Sequence, residues 1–187
     1  NTANALVREL LHGAAMEVTL NAAFSEQFDQ AGIFVRAGAK NWVKAGLEFS
    51  DGVLQLGAVV TRGVSDWSVS PVHEWLNKDV VIRVSRRDDS IILRAGVVGE
   101  ELRLVRVLPC LPDDGSVVEA GPFVCSPSRG GLSIAFSSWT LGPADASLHW
   151  RGWCGGPIVR ILELTPIVKE HGPHGSVKMP AARWMSR

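Results

Sequence analysis

The chain has 187 residues, 46% of them hydrophobic, with 19 Lys and Arg balanced by 19 Asp and Glu. A formal charge of zero lacks the basic excess that draws phosphate backbones or anionic lipid, so neither nucleic acid nor a membrane is an expected partner. A chain of this length buries roughly 70% of its unfolded surface and needs no metal or disulfide staple.

No apolar run approaches the ~20 residues of a membrane span. The three cysteines, Cys110, Cys125 and Cys154, are odd in number and far apart. They read as reduced thiols of a cytoplasmic protein rather than as a disulfide framework. The opening Asn1-Thr2-Ala3-Asn4 carries neither an initiator Met nor a leader pattern and reads as a chain whose beginning has been removed.

Strands dominate the chain order. Ala5 to Leu11 fits a short helix or a strand equally well. Met16, Val18 and Leu20 alternate with Glu17, Thr19 and Asn21, the period of a half-buried strand. The next element spans Gln30 to Arg36, with Ala31, Ile33 and Val35 on its core face.

The 41–61 stretch is predicted as a hairpin closed by Asp51-Gly52, a dipeptide suited to the positive φ angles of a type I′ turn. That turn sets Phe49 against Leu54, Leu47 against Leu56, Ala45 against Ala58 and Val43 against Val60, all inward. Glu48 with Gln55, Lys44 with Val59, and Trp42 with Thr61 take the other face. A one-residue slip would bury Lys44 and Glu48, which fixes the register.

Residues 62–68 are expected to form a loop. A second hairpin joins 80–86 to 91–97 around Asp88-Asp89. Leu102 and Leu104 mark another strand, as do Leu132, Ile134 and Phe136. After Trp139 the periodicity fails. The expected division is a β-sandwich domain over 1–141, short of some N-terminal strands, and an irregular Gly/Pro-rich extension over 142–187. Many short strands joined by turns indicate an all-β antiparallel sandwich or barrel.

Three runs carry a family likeness: Gln27-Phe28-Asp29-Gln30-Ala31-Gly32-Ile33-Phe34-Val35-Arg36, Asn41-Trp42-Val43-Lys44-Ala45-Gly46-Leu47-Glu48-Phe49, and Val59-Val60-Thr61-Arg62-Gly63-Val64-Ser65-Asp66-Trp67-Ser68. With Gly121-Pro122-Phe123-Val124-Cys125-Ser126-Pro127, they resemble the regulation-of-enolase proteins. The resemblance covers about two thirds of the chain, with residues before 13 and after 139 outside it. It implies a concanavalin A-like jelly roll with a concave face, a cytoplasmic location and a role around carbohydrate metabolism.

The polar face of the central sheet is the main candidate site. Gln30, Phe34, Arg36, Trp42, Lys44, Glu48 and Gln55 share it. Aromatic rings beside hydrogen-bonding groups suit a partner surface or a sugar ring, where a solvated outer face is the plainer alternative. In the following loop, Arg62, Asp66 and Trp67 offer donors, acceptors and an aromatic, although Asp66 and Ser68 equally serve turn backbone while Trp67 plugs the sandwich end.

Nothing in the pattern requires catalysis. Lys44 and Glu48 stand ~13 Å apart along one strand, Glu48 is the only acid expected on the face, and glycoside hydrolysis needs two carboxylates. No cofactor and no metal ligand set is indicated. His171 and His174 have no further ligands near them in sequence. The expected function is a non-catalytic binding or regulatory protein contacting another protein, with a glycolytic enzyme as the case the resemblance suggests. A carbohydrate-binding module around Trp42 is the alternative, and a glycoside-active enzyme with Glu48 the third. The sequence leaves the oligomeric state open.

Overall fold

The computed structural model describes residues 3–21, 23–109, 116–148 and the backbone of 162–164. Thirteen strand segments form two facing sheets. In chain order these are β1 (Asn4–Ala5), β2 (Arg8–Glu9), β3 (Ala14–Asn21), β4 (Asp29–Arg36), β5 (Asn41–Ser50), β6 (Val53–Arg62) and β7 (Val64–Pro71). They continue with β8 (Asp79–Arg87), β9 (Ser90–Val97), β10 (Arg103–Pro109), β11 (Glu119–Cys125), β12 (Ile134–Pro143) and β13 (Leu162–Leu164). The first sheet runs β1-β11-β4-β5-β6-β7, with β2 also on β11; the second runs β10-β9-β8-β3-β12-β13. Every pairing is antiparallel, so the chain is the all-β sandwich the sequence predicts.

The core lies between the sheets. Ile33, Val35, Val43 and Leu47 of the first sheet meet Val18, Ile82, Leu93 and Phe136 of the second, all buried. The central hairpin holds the register its turn dictates, from Ser50 opposite Val53 to Trp42 opposite Thr61. Asp51 and Gly52 take φ of 56° and 74°, the left-handed pair of a type I′ turn. Asp88 likewise closes the β8–β9 hairpin at positive φ.

The chain near Ala5 forms two short strand pieces on β11, not a helix. Residues 62–68 also depart from expectation. They form no loop: Gly63, at φ 75°, turns the chain directly into β7, which pairs with β6 along its whole length. Trp67 does not plug the sandwich: it stands 56% exposed, while Trp75, in a short 3-10 turn, is the tryptophan fully buried in the core.

The expected boundary at 141 falls inside β12, which continues to Pro143 against β3. Beyond it the chain stays attached. Asp145 is buried on the outside of the second sheet between Arg83 Nε (2.8 Å) and Arg94 Nε (2.9 Å), while Arg87 donates to the Asp145 carbonyl. At 162–164 the backbone returns to pair with Ile134 to Phe136. Most of the 142–187 extension, with His171 and His174, lies outside the described residues.

Candidate functional site

The outer face of the first sheet is built from alternate residues of five adjacent strands. The pairings place them in four rows. Glu119, Arg36, Trp42, Thr61 and Ser65 form one; Gly121, Phe34, Lys44, Val59 and Trp67 the next. Phe123, Gly32, Gly46, Gly57 and Val69 form the third, and Cys125, Gln30, Glu48, Gln55 and Pro71 the last.

Seven of the residues singled out from sequence therefore do share one surface: Gln30, Phe34, Arg36, Trp42, Lys44, Glu48 and Gln55. Trp67 joins them from β7. Arg62 and Asp66 do not, because they alternate to the other side of their strands. Arg62 donates to the Pro109 carbonyl at 2.7 Å and Asp66 accepts from Arg106 at 2.5 Å, so both tie the first sheet to β10 of the second.

The third row has a feature the sequence reading passed over. Three neighbouring strands each place a glycine at its centre, leaving a furrow floored by backbone. The reason is close approach. A Cβ on Gly32 would lie 2.6 Å from the Gly46 Cα and still nearer the Ala45 carbonyl oxygen. A Cβ on Gly57 would lie 2.6 Å from the Ser68 carbonyl oxygen. The signal was present, since Gly46 and Gly57 face each other in the hairpin register. Phe123, at the end of the furrow, comes from a strand far away in sequence and carries no such signal.

Side chains from the flanking rows define the furrow. Lys44 reaches across it to donate to Gln30 Oε1, with its ammonium 5.7 Å from the Phe123 ring centroid. Phe34 and Trp42 are half-buried and meet at 5.8 Å between centroids, while Trp67 stands 56% exposed. Glu48, only 9% exposed, lines the same depression with Gln30, Lys44, Val59 and Trp67. Burial raises its carboxyl above the ordinary glutamate value, opposed by the nearby Lys44 ammonium and a hydrogen bond with Ser50. Gln55 donates to the Ser50 hydroxyl at 3.0 Å, completing that side.

Glu48 is not the sole acid, since β11 adds Glu119. The two carboxyls sit three rows apart, about 20 Å by strand rise, and Glu119 is ion-paired with Arg36 at 2.7 Å. Among the described residues no three His, Cys, Asp or Glu side chains group as a metal site, and no helix is long and apolar enough to cross a membrane.

Residues 1–144 match the family described as "Protein of unknown function (DUF1349)". The chain belongs to that family. The match begins at residue 1, so the N-terminal segment expected to lie outside the resemblance is part of it. The regulation-of-enolase likeness also holds. The chain is 37% identical over 134 residues to "Regulation of enolase protein 1" of Saccharomyces cerevisiae, covering 71% of this chain. It spans 66% of that relative's length.

A second relative, an uncharacterised protein of Emericella nidulans, is 28% identical over 138 residues, 70% of this chain and 68% of its own. A crystal structure of a functionally unknown Saccharomyces cerevisiae protein superposes with a TM-score of 0.66 at 31% identity, covering 76% of this chain and 74% of that one. A GH43 protein of Bacillus licheniformis gives the same TM-score at 17% identity over 76% of this chain and 30% of its own, a likeness of fold alone.

Proposed function

We propose that the chain is a non-catalytic, intracellular regulatory protein that engages another protein through the outer face of the first sheet. One observation carries the reading. Trp67, exposed, and the half-buried pair Phe34 and Trp42 stand on one five-strand surface beside Lys44, Gln30 and Arg36, the mixture of aromatic anchors and polar groups that protein interfaces favour. The ~20 Å between Glu48 and Glu119 supports the non-catalytic half, because glycosidic carboxylates stand about 5 to 9 Å apart.

The name of the yeast relative points to an enzyme of carbohydrate metabolism as the partner, with enolase the first to try. Isothermal titration of the chain with enolase tests this. Trp42→Ala and Trp67→Ala are each expected to weaken binding tenfold or more, about 1.4 kcal/mol, with the fold retained. Unchanged affinity in both variants would rule out this face.

A second reading rests on the glycine furrow. Trp67, exposed at its rim beside Gln30 and Glu48, offers an indole face on which a sugar ring would stack. A thermal shift with soluble sugars that is lost in Trp67→Ala would favour it over the protein partner.

A further inference from the structure

The two sheets have four edges, and three are blunted. One side of the first sheet ends in the two-residue pieces β1 and β2. The second sheet ends at one side in the three-residue β13. At its other side β10 is broken by a register shift between Leu104 and Arg106 and carries Arg103 and Arg106. Short strands, bulges and charged residues are the usual guards against edge pairing.

Strand β7 is the longest of the four edges and the least guarded. It runs eight residues without a bulge, its one proline is the last residue, and its single charge, Asp66, is already held by Arg106. No strand among the described residues pairs with its outer side.

The hydrogen-bond phase of β7 follows from one contact. Val72 N–H donates to the Leu54 carbonyl, so the even-numbered residues bond inward to β6. The N–H and C=O of Ser65, Trp67 and Val69 therefore point outward. Large apolar side chains are exposed on the same strand, Val64 at 81% and Trp67 at 56%.

We infer that β7 is the interface for a second copy of this chain, added antiparallel to extend the first sheet across a two-fold axis. The strand matches itself. Rotation about Ser68 sets Trp67 of each copy against Val69 of the other, an aromatic against a β-branched residue, and Asp66 against Ser70. No like charges meet, and the outward groups of residues 65, 67 and 69 fall in hydrogen-bonding positions, giving about six backbone bonds. A foreign strand would supply the bonds, but nothing in the structure would fix its register as this self-match does. The outer faces of the two copies would then adjoin, presenting two furrows to a two-fold partner.

Analytical ultracentrifugation of the full chain from about 5 to 500 µM tests the inference. A concentration-dependent dimer is expected. Val69→Pro removes one outward N–H and no bond to β6, and Trp67→Lys installs the missing guard. Each is expected to raise the dimer dissociation constant tenfold or more with the circular dichroism spectrum and melting temperature retained. Ser68→Cys is expected to form an intermolecular disulfide on mild oxidation that the unsubstituted chain does not. A monomer throughout the range overturns the inference, as does a dimer indifferent to both edge variants. Val69→Pro leaves Trp42 and Phe34 in place, so loss of the dimer and loss of partner binding remain separate results.

Discussion

Replacing Gly46 with Ala puts the close approach of β4 and β5 to a direct test. Gly46 faces Gly32 across a non-hydrogen-bonded pair, where the Cα atoms come closest. The added Cβ would stand 2.7 Å from the Gly32 Cα and nearer still to the Ala31 carbonyl oxygen. Carbon atoms need about 3.5 Å, so the strands must part by ~1 Å. Backbone hydrogen bonds near 2.9 Å would stretch to about 3.9 Å, beyond useful range. The flanking pairs Ala31–Leu47 and Ile33–Ala45 are buried, and unmaking two of their bonds costs about 3 to 5 kcal/mol.

For a domain of this size that is a fall of roughly 10 °C in melting temperature. Gly38→Ala is the control. Its φ of 86° strains any side chain, but nothing lies within 4 Å, so about 1 kcal/mol and a few degrees are expected. Calorimetric melting of both variants decides. A Gly46→Ala protein melting within about 2 °C of the parent, or above Gly38→Ala, would show that the strands are not pressed together as described.

Other consequences can be measured on the same footing. Asp145→Ala leaves Arg94, 3% exposed, without its carboxylate, and should cost about 3 to 5 kcal/mol by urea unfolding; a loss below about 1 kcal/mol would remove the clamp. Glu48 is held above its unfolded value by burial, so its protonated form stabilises the fold at low pH and that contribution is lost as pH rises through the raised value. Glu48→Gln should therefore gain on the parent in melting temperature as pH rises from 4 to 7. A constant difference across that range would contradict the burial. The enolase titration and the β7 variants supply the remaining two tests.

What the sequence disclosed depended on whether burial had written a pattern. The 41–61 hairpin was legible residue by residue, because Asp51-Gly52 fixes the turn and a slip would bury Lys44 and Glu48. Its neighbour β4 followed from the same alternation. Strand β7 was not legible. Val64-Ser65-Asp66-Trp67-Ser68 is exposed on both faces, so no apolar period was required of it and the run resembles a loop. The same blindness hid the orientation of Arg62 and Asp66, which depends on β7 being a strand. Glu119 and Phe123 entered the site through the pairing of β11 with β4, a long-range contact that no local signal announces.

The glycine floor divides the face into parts with different freedom to change. Gly32, Gly46 and Gly57 hold a place where even a methyl group must force neighbouring atoms aside, so the fold itself resists any side chain there. Phe34, Lys44, Val59, Gln55 and Trp67 surround that fixed strip without being needed to keep it open. Substitution at those rim positions would therefore change what the face presents while leaving the strip as it is.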